Sequence, residues 1–298
     1  DVAPSRGLGD VYKRQILILL FVFSVLSVPV CHGVISGLYL YGMKIFPGLF
    51  ISFILTNILV RILQQKNINN PWILVITGLM TGFPNGAYIC SWYNKNNPKN
   101  RLGDMLAGII NIPSPAFLIS YVYINILEKC ISLPMFLALT YTPVILCSYM
   151  AILLFRDKDN KKDNAPHIKT GKKLIFHFFE EAVDSSINTA LKLGAYVIIF
   201  SVIVNIIMHF SQSNTVGLLI SYLFEISNGL AIIKNAGIPM NITVLLTVLL
   251  DAFGGVCIIM QTKSICSSYI SIKKYIYQKL VLCIVTLATT YLLIYVLN

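Results

Sequence analysis

Long apolar runs are the feature that most restricts what this chain can fold into. Several of them approach or exceed ~18 residues, the length of a helix that crosses the hydrocarbon core of a membrane. Of the 298 residues, 56% are hydrophobic and only 12% are charged, which is about half the charged fraction of a soluble domain. The composition therefore predicts an all-α polytopic membrane protein.

Seven runs are predicted to cross the membrane, and two more are interrupted near their centres. The predicted spans are 16–31, 45–62, 104–127, 131–155, 193–210, 241–262 and 276–297. The interrupted runs are 72–93, with FPNG at 83–86, and 216–233, with EISNG at 225–229. Proline and glycine break helices, and an amide needs a partner in lipid. The interruptions therefore predict polar groups that line a cavity or bind a ligand.

The distribution of basic residues predicts the topology, because cytoplasmic loops are enriched in Lys and Arg. With a cytoplasmic N-terminus and two re-entrant hairpins, the external loops hold only Lys129 and Lys234. If the first hairpin crossed the membrane, ten basic residues would move outside, seven of them between Arg156 and Lys173. We therefore expect both ends of 72–93 to be cytoplasmic and the C-terminus to be external. The net charge of +11 is interpreted as loop charge that faces anionic lipid, and no nucleic-acid partner is expected.

The segments outside the spans complete the predicted organisation. Residues 1–15 start without Met and are interpreted as a non-native leader, with a signal peptide over 1–32 as the alternative. An N-terminal span (16–32), a first half (33–155), a basic cytoplasmic linker (156–173), a second half (174–275) and a C-terminal span (276–298) follow. Within the second half, 174–192 place polar side chains on one helical face and predict an interfacial amphipathic helix.

Neither catalysis nor a cofactor is expected. The seven cysteines form no C-x-x-C pair, and the four histidines lack metal-ligand spacing. No nucleotide-binding or triad signature occurs. The expected partners are the lipid bilayer and a small-molecule cargo, and a homo-oligomer is left open.

The two halves of the chain correspond to each other. IFPGLFISFIL (45–55) aligns with LGAYVIIFSVI (193–203), FPNGA (83–87) with ISNGL (226–230), and IINIPSPAFLI (109–119) with LLDAFGGVCII (249–259). The alignment pairs Asn111 with Asp251. On the predicted topology the two hairpins open to opposite sides. This arrangement is an inverted-topology repeat, which is typical of transporters.

The third and sixth predicted spans are also interrupted, at Pro113 and Pro115 in one and at Gly254 and Gly255 in the other. Backbone groups freed in lipid cost several kcal/mol each unless protein, water or ligand meets them. Four interruptions at similar depth therefore predict one polar cavity. Half-helix N-termini there would present unpaired N–H groups, which suit an anion.

Two acidic residues lie within membrane segments of the second half, Glu225 and Asp251. Intramembrane carboxylates are usually functional. We hypothesise that Asp251 couples transport to a proton or sodium ion, with Glu225 as a second candidate. The alternatives are that Glu225 pairs with an amide or Lys234, and that Asp251 caps a helix. Gln261 is either a donor in the cavity or a polar residue near the cytoplasmic interface.

The ordered motifs resemble the YlbJ-type sporulation integral membrane proteins. These belong to the nucleoside recognition (gate domain) group, which is shared in part with concentrative nucleoside transporters. The resemblance rests on TGFPNGA, NIPSPAFLI, EEAVDSSINTALKLGAYVIIFSVI, FEISNGLAII and FGGVCIIMQ, and it runs from Val34 to the C-terminus. It implies functional roles for Gly82, Phe83, Pro84, Gly86, Pro115, Glu225, Gly229, Gly254, Gly255 and Gln261. The chain departs from the family at Asn85, where a small apolar residue is common.

The combined expectation is a transporter of a small organic anion. The resemblance implies dipicolinate and the outer forespore membrane. A nucleoside carrier of the same fold, or a non-transporting gate or scaffold protein of the spore envelope, are the alternatives. The full set of expected substrate-binding residues is Gly82, Phe83, Pro84, Asn85, Gly86, Asn111, Ser114, Pro115, Ser227, Asn228, Gly229, Gly254, Gly255 and Gln261.

Overall fold

A computed structural model describes residues 12–21, 28–65, 70–96, 101–155, 172–210, 215–266 and 269–297. Within these ranges the chain is helical and no strand occurs, which confirms the all-α class. The predicted leader (1–15) and linker (156–173) lie largely outside the described residues.

The described helices follow the interruptions seen in the sequence. In chain order they are α1 (12–21), α2 (Val28–Tyr39), a π-helical stretch (Leu40–Ile45), α3 (Phe46–Gln65), α4 (Pro71–Thr81), α5 (Asn85–Asn96), α6 (Leu102–Ile110), α7 (Pro115–Phe117), a second π-helical stretch (Leu118–Ile126), α8 (Leu133–Phe155), α9 (Lys172–Phe210), α10 (Thr215–Phe224), α11 (Ile226–Asn235), α12 (Met240–Phe253), α13 (Gly255–Cys266) and α14 (Ile272–Leu297).

The described helices include five that are long and apolar enough to cross a membrane. A sixth is present if Val28–Ile45 and Leu49–Leu59, which meet at a bend of 66°, count as one span. The protein is therefore membrane-embedded. The first predicted span, 16–31, runs over residues outside the described ranges. Its predicted end at Cys31 is wrong, because α2 begins at Val28 and passes through Cys31 without a break.

One helix, α9, combines two elements that the sequence separated. The amphipathic segment 174–192 and the span 193–210 form a single helix, Lys172–Phe210. Asp184 on its polar face is exposed and Ala182 on the other face is buried. Gly194 does not end the helix, because the ring of Tyr41 packs over it and the Tyr41 hydroxyl donates to the carbonyl of Ala190 at 2.6 Å.

All four predicted interruptions are breaks between helices. Residues 82–84 separate α4 from α5 and Glu225 separates α10 from α11, and the two helices of each pair contact each other. We call these two connections tip 1 and tip 2. Residues 111–114 separate α6 from α7 (break 1), and Gly254 separates α12 from α13 (break 2).

Close contact between α2 and α9 depends on two glycines one helical turn apart. A Cβ on Gly33 would lie 2.5 Å from the Cα of Val202, and one on Gly37 would lie 2.9 Å from the Cα of Ile198. Small residues at this spacing let the backbones of membrane helices approach closely. Because the obstacle is backbone, a side chain here must push the helices apart.

We expect Gly33→Ala to lower the thermal midpoint of the detergent-solubilised protein, since the added methyl separates α2 from α9. Gly42→Ala is the matched control, because a Cβ there meets nothing within 4 Å. It should leave the midpoint unchanged or raise it slightly through helix propensity. Equal midpoints for the two variants, measured by a thermal unfolding assay, would contradict the packing argument.

Candidate functional site

Both tips, break 1 and the helix that follows break 2 border one buried cavity of about 30 Å³. Phe83 comes from tip 1, Ser114 from break 1, Glu225 and Ser227 from tip 2, and Gln261 from the helix that follows break 2. The remaining wall is apolar and is formed by Ile45, Leu49, Phe117, Leu193, Val197, Ile226 and Ile258. The structure thus brings three of the interruptions and the helix after the fourth together around a partly polar space.

Four helices begin at these interruptions: α5, α7 with its π-helical continuation, α11 and α13. A helix N-terminus carries unpaired N–H groups and the positive end of the helix dipole. Two of these N-termini border the cavity, because its wall includes Ser114 and Glu225, the N-cap residues of α7 and α11.

The expectation that these N–H groups are unpaired is wrong for three of the helices. The amide of Ala87 in α5 donates to the side-chain oxygen of Asn111 at 3.2 Å. Phe117 donates to the hydroxyl of Ser114 at 3.4 Å, and Asn228 donates to the Glu225 carboxylate at 2.7 Å. Side chains at the breaks supply these acceptors, because a buried N–H without a partner is costly.

Glycine at tip 1 allows the tip to lie directly on break 1. Gly82 has φ +69°, and a Cβ there would lie 2.4 Å from the backbone nitrogen of Ser114. Gly86 lies against the end of α6, where a Cβ on this glycine would be 2.8 Å from the carbonyl oxygen of Ile110. Pro84 is buried beside them.

The second half repeats this packing. Gly255 has φ +82°, and a Cβ there would lie 3.2 Å from the carbonyl oxygen of Phe224 at the end of α10. Gly229 lies against Leu250 of α12. A Cβ on Gly254 would lie 3.4 Å from the ring of Phe83, so tip 1 also contacts break 2.

Lys279 of α14 is a functional candidate that the sequence analysis missed. Its ammonium is fully buried and donates to the carbonyl of Asn111 and, at 2.9 Å, to the carbonyl of Ala252. These carbonyls lie at the C-terminal ends of α6 and α12, where the helix dipole is negative. A lysine inside an apolar span is a signal that the sequence does carry.

Asn111 holds break 1 in place and does not line the cavity. Its side-chain nitrogen donates to the hydroxyls of Tyr275 at 2.8 Å and Thr262 at 3.3 Å, while its oxygen accepts from Ala87. The residue is fully buried, and its backbone carbonyl is bound by Lys279. The geometry favours a structural role over direct contact with a substrate.

The other predicted site residues fall into two groups. Phe83, Ser114, Ser227 and Gln261 line the cavity together with Glu225, and the Gln261 side-chain oxygen has no hydrogen-bond partner. Pro115 follows Ser114 at the start of α7 and is half-buried.

Asn85 and Asn228, which the repeat alignment pairs, do not line the cavity. Asn85 is buried with its side-chain nitrogen unpartnered. The side chain of Asn228 donates to the hydroxyl of Ser201 at 2.9 Å. It also lines a separate pocket of about 370 Å³ between α9 and α11, together with Asn205 and Asn235.

The two intramembrane acids differ in their surroundings. Glu225 is the N-cap of α11, and Lys234 pairs instead with Glu128 at 2.6 Å. The hypothesis of a Glu225–Lys234 pair is therefore wrong. Asp251 is fully buried, and neither carboxylate oxygen accepts a hydrogen bond, so it is not a helix cap.

No family model, curated protein or solved structure matches this chain. The candidate site therefore rests on the geometry given above.

We expect Lys279→Met to loosen both breaks at once, because the carbonyls of Asn111 and Ala252 lose their donor. A buried carbonyl without a partner costs about 1–3 kcal/mol, and 1.4 kcal/mol corresponds to about tenfold in an equilibrium. Amide hydrogen exchange followed by mass spectrometry should be roughly tenfold faster around both breaks.

The control for this measurement is Lys273→Met, which removes an exposed lysine from the same helix. It should leave the exchange at both breaks unchanged. Faster exchange at only one break, or at neither, would show that Lys279 does not hold the two helix ends together.

Proposed function

We propose that this protein is a membrane transporter that carries a small organic anion through the cavity between the two tips and the two breaks. The observation that carries the proposal is that two helix N-termini, those of α7 and α11, border one buried, partly polar cavity inside a membrane-embedded protein. Helix N-termini favour anions, because their N–H groups and dipoles both attract negative charge. A simple bundle of spanning helices has no need of such breaks.

The pairwise packing of tips and breaks supports an inverted repeat. Tip 1 lies on break 1 through Gly82, and tip 2 lies on break 2 through Gly255. Each half therefore contains the same contact between a helical hairpin and an interrupted helix. We propose that both hairpins are re-entrant and open to opposite sides, as the basic residues indicate.

The cavity must enlarge when cargo binds. At about 30 Å³ it can hold one or two waters, whereas small-molecule sites measure about 300–1,000 Å³. The contacts that would separate are those of the tips with the breaks, because these contacts form the polar part of the wall. Opening toward one side and then the other would give alternating access to the site.

Dipicolinate is the proposed cargo, and the outer forespore membrane is the proposed location. Both come from the resemblance to YlbJ-type sporulation proteins. A planar molecule with two carboxylates could bridge the N-termini of α7 and α11, which both border the cavity. The carboxylate of Glu225 already accepts from the α11 N-terminus, so the cargo and Glu225 would compete for the same amides.

A nucleoside is the second candidate cargo, and one side chain of the cavity wall favours it. The side-chain oxygen of Gln261 has no hydrogen-bond partner. An unpartnered acceptor of this kind can recognise a donor group of a nucleobase or ribose by a hydrogen bond. The two cargo classes can be separated by direct measurement.

Uptake into proteoliposomes tests the function. We expect labelled dipicolinate to accumulate and labelled uridine not to, and we expect Ser227→Ala to reduce uptake severalfold because Ser227 lines the cavity. Ser264→Ala is the matched control, since this exposed serine lies on α13 outside the cavity. Uptake of uridine alone would favour the nucleoside carrier, and uptake of neither would leave the scaffold alternative.

We expect Glu225→Gln to lower the KM for the anion severalfold, because the neutral amide neither repels an anion nor competes as strongly for the N–H of Asn228. The measurement is initial uptake rate against dipicolinate concentration. An unchanged or higher KM would show that Glu225 does not compete with the cargo. A nucleoside, which is uncharged, should gain no affinity from this substitution.

Cysteine labelling tests the proposed topology. In a background without native cysteines, Lys95→Cys and Lys263→Cys should be protected from an impermeant reagent applied to intact cells, whereas Lys129→Cys should react. All three positions are exposed in the structure. Reaction of Lys95→Cys from outside would exclude a first hairpin with cytoplasmic ends.

A further inference from the structure

Buried polar atoms without a hydrogen-bond partner are concentrated between α8, α12 and α14, which pack against one another. Of ten such atoms in the described part of the chain, six belong to these three helices. They are both carboxylate oxygens of Asp251 and the hydroxyls of Thr247, Tyr141, Ser148 and Thr290. None of these residues lines the cavity assigned to the cargo.

Hydroxyls elsewhere on the same helices are paired. Thr140 donates to the carbonyl of Phe136 at 3.0 Å, and Thr286 donates to that of Leu282 at 2.8 Å. This bond to the preceding turn is the usual way for a buried threonine in a helix to satisfy its hydroxyl. Thr247 is fully buried and does not make it. Its hydroxyl, one turn before Asp251, remains available for another partner.

The groups around Asp251 do not compensate its charge. The hydroxyls of Tyr141 on α8 and Tyr222 on α10 are within electrostatic range of the carboxylate. Tyr222 already donates to the carbonyl of Leu246 at 2.8 Å. On α14, Lys279 is bound to backbone carbonyls, and no ion pair within 4.0 Å joins it to Asp251 in the described structure.

Cys283, also on α14, directs its thiol toward the carbonyl of Leu249 at 3.9 Å. It adds no positive charge near Asp251. A buried, unpaired carboxylate is so costly that it takes up a cation or a proton. The broken-helix C-termini, which hold coupling cations in other transporters, are here bound by Lys279. A mobile cation would therefore use the remaining uncompensated carboxylate.

We propose that Asp251 is the centre of a binding site for one sodium ion between α8 and α12, with the hydroxyls of Thr247 and Tyr141 as further ligands. All of these groups offer oxygen, which hard cations prefer. Thr247 and Asp251 lie one turn apart on α12, which packs against α8, and the oxygens of all three side chains lack a hydrogen-bond partner. A cation binds several oxygens at once, whereas a proton on Asp251 donates to a single acceptor.

The consequence for transport rests on the proposed function. Sodium at Asp251, close to break 2, would stabilise one arrangement of the helices and so couple the sodium gradient to movement of the anion. Binding of sodium alone does not depend on what the cargo is. An experiment can therefore contradict the sodium site without contradicting anion transport, and the reverse.

The test is thermal unfolding of the purified full-length protein in detergent, with sodium chloride replaced stepwise by choline chloride at constant ionic strength. We expect a saturable rise of the midpoint with sodium. At a sodium concentration ten times Kd, the folding equilibrium should shift about 11-fold toward the native state. Asp251→Asn should abolish the shift, and Thr247→Val and Tyr141→Phe should raise the apparent Kd.

Thr286→Val is the matched control, since it removes a buried threonine hydroxyl that is already paired within its own helix. It should retain the sodium-dependent shift. No effect of sodium on the parent, or an apparent Kd for sodium that is unchanged in Thr247→Val and Tyr141→Phe, would overturn the proposal even if Asp251→Asn does not fold. A midpoint that depends on pH but not on sodium would also overturn it, in favour of a proton.

Discussion

One buried ammonium group, that of Lys279, links break 1 to break 2. The Nζ atom of Lys279 binds the carbonyls at the ends of two interrupted helices, one from each half of the chain. An interrupted helix in a membrane leaves carbonyls that lipid cannot satisfy, and the same carbonyls carry the negative end of a helix dipole. The ammonium of Lys279, fixed on a third helix, donates hydrogen bonds to these carbonyls and also compensates the negative ends of the two helix dipoles. The positions of break 1 and break 2 relative to each other therefore depend on α14.

The N-terminal sides of the breaks are stabilised differently. Their N–H groups are met by Asn111, Ser114 and Glu225, each of which lies in a break or a tip. The protein thus supplies acceptors of its own at the helix ends where the proposed anionic cargo would bind. If the cargo replaced one of these acceptors, the number of hydrogen bonds would stay the same, so the exchange would need little net free energy. For the proposed transporter, this equivalence would keep the free-energy difference between a closed and an open cavity small.

The sequence predicts local features well and distant partners poorly. The breaks follow from proline and glycine, whose effect on the backbone is intrinsic, and the helical class follows from composition. The partners of Lys279 are 27 and 168 residues away, and no local pattern indicates them. The orientation of Asn228 toward Ser201 is likewise set by packing. The continuity of α9 was missed because a glycine inside a helix is tolerated when an aromatic ring covers it.

The length of α9 has a mechanical consequence. Its 39 residues extend about 58 Å at 1.5 Å per residue, roughly twice the thickness of the hydrocarbon core. Its first turns carry exposed acidic side chains such as Glu180, while Leu193 and Val197 further along form part of the cavity wall. Because the helix is unbroken, a tilt at one of these regions moves the other region with it. A change in lipid packing or bilayer thickness that tilts its polar end would thus move the part of the cavity wall that Leu193 and Val197 form.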